Sequence, residues 1–128
     1  MSGKRYLLDT NAIIQLLLGN PVLLAIVAEA DFLATSVICK LEFLSYSKLD
    51  ETSRVAFLEF LSRIIVYDVA NADAALARET VKMRMTCSLK LPDAIIAATA
   101  LVNDCEIVTN DAHFQKQSRV AVKTYALT

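Results

Sequence analysis

Two short apolar runs, Tyr6-Leu7-Leu8 and Ile107-Val108, are each followed by an aspartate, Asp9 and Asp111, at the start of a helical stretch. Runs this short and this apolar read as strands buried on both faces. Phe32 to Thr35 and Ile65 to Val69 are further strands, and a last one is expected at residues 119 to 125; between them lie segments whose apolar residues recur three and four apart. Strands and helices alternating in this way form an α/β fold, a parallel sheet wrapped by helices and joined by right-handed crossovers. Sites in open sheets of this kind form beyond the carboxyl ends of the strands, so Asp9 and Asp111 belong in one crevice.

Helix signals fill the intervals. A helix over residues 12 to 18, capped by Thr10 or Asn11, ends at Gly19-Asn20-Pro21, and Pro21 opens a second that runs to Ala30. Ser36 caps a helix from Val37 to Leu49, and residues 50 to 64 form another with Val55, Phe57, Leu58 and Leu61 facing inward. Asn71 caps Ala72 to Thr86, Pro92 precedes an apolar helix from Asp93 to Val102, and a short helix covers 111 to 117. The chain of 128 residues is expected to be one domain, residues 1–128.

Composition removes several functional classes. With 55% hydrophobic residues and a mean hydropathy of +0.46, some apolar surface is expected to be covered by another chain. A membrane does not explain that surplus, because Gln15, Gly19, Asn20 and Pro21 break the longest apolar run, whereas a span needs about 20 apolar residues. Asp9 and Asn11 likewise interrupt any signal-like N-terminus, so the protein is expected to stay in the cytoplasm. Cys39, Cys87 and Cys105 lack the spacing of a disulfide framework or zinc knuckle and are expected to be reduced thiols. The only glycines, Gly3 and Gly19, leave no Gly-rich phosphate cradle. A net charge of -1 gives no global attraction to nucleic acid, so binding of that kind must use a local patch.

Four carboxylates stand where apolar sequence should carry them inward: Asp9, Glu42, Asp93 and Asp111. Taken singly, Asp9 and Asp111 could be helix caps, Glu42 could pair with a distant cation, and Asp93 could simply favour the first turn of its helix. Glu42 has Ile38, Cys39, Ser45 and Tyr46 as helical neighbours, an uncharged stripe that points it inward. If the four converge, like-charge repulsion raises some of their pKa values and destabilises the fold unless a cation is present. An all-oxygen donor set suits magnesium (Mg2+) or manganese (Mn2+) better than zinc. The chemistry that follows is phosphodiester hydrolysis, in which a metal makes hydroxide available near neutral pH and stabilises charge on the phosphate.

In chain order, Leu8-Asp9-Thr10-Asn11, Glu42, Leu91-Pro92-Asp93-Ala94-Ile95-Ile96-Ala97-Ala98 and Thr109-Asn110-Asp111-Ala112-His113-Phe114 resemble a PIN domain. Size and motif style are similar to the VapC-type toxins of prokaryotic toxin–antitoxin pairs, small magnesium-dependent endoribonucleases. The resemblance implies a three-layer α/β/α fold with a five-stranded parallel sheet of order 3-2-1-4-5. It also implies a metal-holding, catalytic quartet of Asp9, Glu42, Asp93 and Asp111, with Thr109 or Asn11 completing the metal shell. A homodimer, an RNA substrate and an antitoxin that lays a helix or extended segment over apolar grooves, often with a basic side chain in the acidic site, are implied as well. Cys39 stands near where the family often has a threonine before its glutamate.

Arg78, Lys82, Arg84 and Lys90 lead towards the Asp93 helix, and of these Lys82 and Lys90 are candidate contacts for RNA backbone. His113 reads as a surface residue, and Phe43, Tyr46, Phe57 and Phe60 as core or interface outside the site. Two other readings stay open: a phosphatase or phospho-acceptor using Asp9 as nucleophile, disfavoured because no Asp stands two residues later, and a non-catalytic interaction module.

Overall fold

Leu7 and Leu8 are wholly buried on opposite faces of one strand, and this decides the layering of the protein. In the computed structural model, which describes residues 3–127, they lie on β1, Arg5–Leu8. Because successive side chains on a strand point to opposite faces, Leu8 enters a core with Tyr6, Ile13, Leu23 and Phe57, while Leu7 enters one with Met83, Ile96, Ala97 and Phe114. Helices cover both faces, which makes the three-layer arrangement.

β1 is the central strand. It pairs in parallel with β2 (Phe32–Ser36) on one side and β4 (Glu106–Val108) on the other. β3 (Ile65–Tyr67) and β5 (Val122–Lys123) complete a parallel sheet of order 3-2-1-4-5. Strand order reverses at β1, so the carboxyl ends of β1 and β4 flank the switch point where a crevice opens.

Each helix starts on a side-chain cap or a proline. α1 (Thr10–Leu17) is capped by Asp9, α2 (Pro21–Glu29) by Asn20, α3 (Val37–Leu44) by Ser36 and α4 (Glu51–Leu61) by Asp50. α5 (Ala74–Cys87) is capped by Asp73, and α6 (Leu91–Val102) has Pro92 in its first turn. Phe43 of α3 and Phe57 of α4 stack with ring centroids 3.7 Å apart and planes 5° from parallel, locking those helices together.

Several boundaries differ from the sequence expectation. Asp9, not Thr10 or Asn11, caps α1, because its Oδ1 accepts the Ala12 N–H at 2.8 Å. α3 ends at Leu44 rather than Leu49; the Ser45 hydroxyl donates to the Leu41 carbonyl and Asp50 must be extended to cap α4. α5 starts two residues late because Asp73 outcompetes Asn71 as its cap, and α6 starts at Leu91 because proline costs nothing in a first turn. The last strand shrinks to two residues, since the Gln117 side chain bonds the backbone of Phe114 and Val120 and holds that segment as a loop. Val55 faces solvent rather than the core.

Among the described residues no single helix is long and apolar enough to cross a membrane, and α1 and α2 are bent by 108° from one another. Cys39 and Cys105 are buried and unpaired, and Cys87 is half-buried.

Candidate active site

The carboxyl end of β1 delivers Asp9, only 4% exposed, to the switch point. Its two oxygens have separate partners: Oδ1 accepts the Ala12 N–H, and Oδ2 accepts the hydroxyl of Thr109, wholly buried at the end of β4. The same Thr109 oxygen accepts the Asp111 N–H at 2.9 Å, so one hydroxyl ties two acidic residues together. Asp111 then caps a 3₁₀ turn, Ala112–Lys116, where its Oδ1 accepts the His113 N–H and lies 2.9 Å from His113 Nδ1.

Asp93 is half-buried in the first turn of α6. Glu42 comes from α3 and, contrary to the inward orientation expected, is exposed; its Oε1 accepts the Thr10 hydroxyl at 2.8 Å. All four carboxylates and Asn11 line one cleft of about 240 Å³. Thr109 supports it from beneath, and Lys90 lies in an adjoining notch that shares Asp93. Lys82 is not brought to the cleft; its ammonium is 3.9 Å from Glu79 on α5.

Two polar lining residues, Thr10 and Tyr46, were not read as part of the site, and the apolar Ile14, Ile96 and Phe114 complete its lining. Tyr46, expected in core or interface, is 65% exposed at the cleft. The signal was present, since Tyr46 lies four residues after Glu42 and Thr10 directly after Asp9.

Asp93, Asp111 and His113 each place a potential ligand atom within 4.8 Å of the others. Together with Asp9 and Glu42 the donors are almost all carboxylate oxygens, a set that fits a hard divalent cation. A family model for the PIN domain matches residues 6–120. The chain belongs to the PIN domain family.

PIN domains are generally nucleases and typically use divalent metals. This PIN domain is similar to a chain in a toxin–antitoxin complex from Klebsiella pneumoniae: 28% identity, TM-score 0.75, with 91% of this chain and 96% of the other covered. Its fold is shared with VapBC-1 from nontypeable Haemophilus influenzae, at 23% identity and TM-score 0.78, covering 93% and 96% of the two chains. A third likeness is to VapBC2 from Rickettsia felis bound to a DNA fragment from their promoter, at 22% identity and TM-score 0.77, covering 94% and 98%. Among curated proteins the sequence finds no match.

The electrostatics of this PIN domain's cleft follow from its geometry. Burial pushes the Asp9 carboxyl up from 3.8 to about 6; the Thr109 and Ala12 hydrogen bonds oppose the shift, and the charges of Asp111 and Asp93 add to it. Asp93 is also raised, first by burial and then by Asp111 and Glu42, with His113 and Lys90 pulling the other way. Burial pushes the Cys39 thiol up to about 11, which makes it a poor nucleophile.

The Asp9 shift has a consequence for stability. Between pH 3.8 and about 6 the folded chain binds a proton at Asp9 that the unfolded chain has released, so stability falls as pH rises. Above that window the penalty is complete, at about 3 kcal/mol. The urea midpoint of metal-free protein is therefore expected to fall across this range, and Asp9→Asn to flatten most of that fall. An unchanged slope in Asp9→Asn protein would assign the effect elsewhere.

Proposed function

We propose that this PIN domain is a magnesium-dependent endoribonuclease, the toxin of a VapBC-type pair, hydrolysing RNA phosphodiester bonds. The observation that carries this reading is the convergence of Asp9, Glu42, Asp93 and Asp111, from distant parts of the chain, on one cleft at the switch point. The likeness to the Klebsiella toxin–antitoxin complex supports the biological role.

Asp9, Asp93 and Asp111 would hold the cation, with Glu42 on the α3 side and Asn11 and Thr109 completing the shell. When bound, a divalent cation acidifies water and neutralises charge that builds on the phosphoryl oxygens. The carboxylates position rather than attack. Thr109 fixes Asp9 and the Asp111 backbone, so these two groups cannot drift apart under mutual repulsion. Thr10 orients Glu42 towards the same space. Water adds to phosphorus, the 3′ oxygen departs and takes up a proton, and the products carry 5′-phosphate and 3′-hydroxyl ends.

The site's surroundings suit a toxin under control. An apolar groove of about 290 Å³, lined in part by Phe43 and Leu49, shares Ile14 and Tyr46 with the acidic cleft. An antitoxin segment seated there would bring a basic side chain to the carboxylates. A homodimer and a cytoplasmic location belong to the same proposal.

The test is cleavage of RNA by the purified chain with magnesium, with manganese and with chelator, followed by sequencing of the fragment ends. Metal-dependent cuts with 5′-phosphates are expected, and Asp93→Asn should abolish them. Wild-type rates in the Asp93→Asn protein would overturn the proposal, as would failure to cut RNA with either metal.

A further inference from the structure

Beside the acidic cleft lies a small notch of about 60 Å³, lined by Ser88, Leu89, Lys90, Asp93, His113 and Lys116. Asp93 walls both spaces, so they adjoin. The notch has room for about two water-sized molecules, hence for phosphate oxygens but not for a nucleobase.

Two separate elements build it. α5 is closed by its C-cap Ser88 in the left-handed conformation, φ 55°, which turns the chain so that Leu89 is buried and Lys90 is exposed ahead of α6. The 3₁₀ turn brings His113 and Lys116. His113 Nδ1 faces Asp111, and its Nε2 has no hydrogen-bond partner among the described residues.

Arg78, Lys82 and Arg119 all contact Glu79, whereas Lys90 and Lys116 form no ion pair among the described residues. Lys40, Lys48, Arg84 and Lys123 also form no ion pair among the described residues, and what sets Lys90 and Lys116 apart is their place beside the acidic cleft. A protein of net charge -1 thus leaves two ammonium groups available at the edge of its most acidic cleft. Carboxylates alone would repel an RNA strand on both sides of the bond to be cut. A cation relieves that repulsion only at the scissile phosphate, and the neighbouring phosphate needs positive charge from the protein.

The geometry points to a second phosphate subsite, in which Lys90 and Lys116 hold the phosphodiester one nucleotide from the scissile bond. This rests on the nuclease reading and adds the footprint of the RNA beyond the reacting group. Lys82 has no part in it.

The experiment compares Lys90→Gln/Lys116→Gln with a control, Arg54→Gln/Arg63→Gln, that removes the same charge from α4 and its C-terminal end. With magnesium and a single-stranded RNA, the first variant is expected to raise KM about tenfold, to leave kcat within about twofold, and to reduce the slope of log KM against log salt by about 0.7. The control should match wild type. Replacing the phosphate adjoining the cut site by an uncharged methylphosphonate should weaken the wild type by a similar factor and leave the variant unaffected. Equal KM and slope in variant and wild type, an equal loss in the control, or equal sensitivity to the uncharged linkage would overturn the subsite while leaving the nuclease reading intact. A wild-type chain that neither binds nor cuts RNA would remove both.

Discussion

Asp9→Asn is expected to lower kcat for RNA cleavage by about 10³-fold or more, yet leave the metal-free chain at least as stable as its parent at neutral pH. The two effects separate because the Asp9 carboxylate serves two purposes. As a cap it needs only an oxygen facing the Ala12 N–H, and asparagine caps helices as well as aspartate does, while its Nδ2 would donate to the Thr109 oxygen where the carboxylate accepted from it. As a buried charge beside Asp93 and Asp111 it is a liability to the empty fold, and that liability goes with the substitution. Stability is read from urea midpoints with and without magnesium. The parent should gain from metal, since binding to the native state alone must stabilise it, and the variant should gain much less. An Asp9→Asn protein that is strongly destabilised without metal would show that the carboxylate is a structural element.

Phe57→Ala is expected to cost about 3–5 kcal/mol and to lower Tm by roughly 10–20 °C. Phe57 is wholly buried and stacked on Phe43, so truncation leaves a cavity between α3 and α4 and removes a ring contact as well. Because Phe43 adjoins Glu42 on α3, loosening the stack should also reduce turnover at temperatures where the chain remains folded. Val55→Ala on the same helix is the comparison: Val55 is 49% exposed, so its loss should stay within about 0.5 kcal/mol. Similar losses at both positions, measured by thermal and urea unfolding, would mean that the α3–α4 contact is not the anchor it resembles.

Much of the architecture was legible because the strands are short apolar runs and their helices carry recognisable caps and prolines. The order 3-2-1-4-5 was implied by the resemblance to the PIN family and not by periodicity, which says nothing about which strands are neighbours. Helix ends were less legible where two caps competed: Asn71 and Asp73 are both good caps, and only the packed chain decides between them. Glu42 shows another limit. Its apolar helical neighbours implied burial, but a helix that ends at Leu44 beside an open cleft leaves that side chain in solvent, held by Thr10. Tyr46 was lost for the same reason, since an aromatic among aliphatics looks like core until a cleft is known to lie next to it.

The positions of Asp9 and Asp111 in the chain also govern when the site can exist. Asp9 is synthesised 100 residues before Thr109, which holds both groups and is itself made just before Asp111. The whole segment from Asp9 to Asp111 must therefore leave the ribosome before the carboxylates can meet. A copy cut short before Thr109 would lack the assembled cleft, so translation of that segment sets the earliest moment at which the site can form.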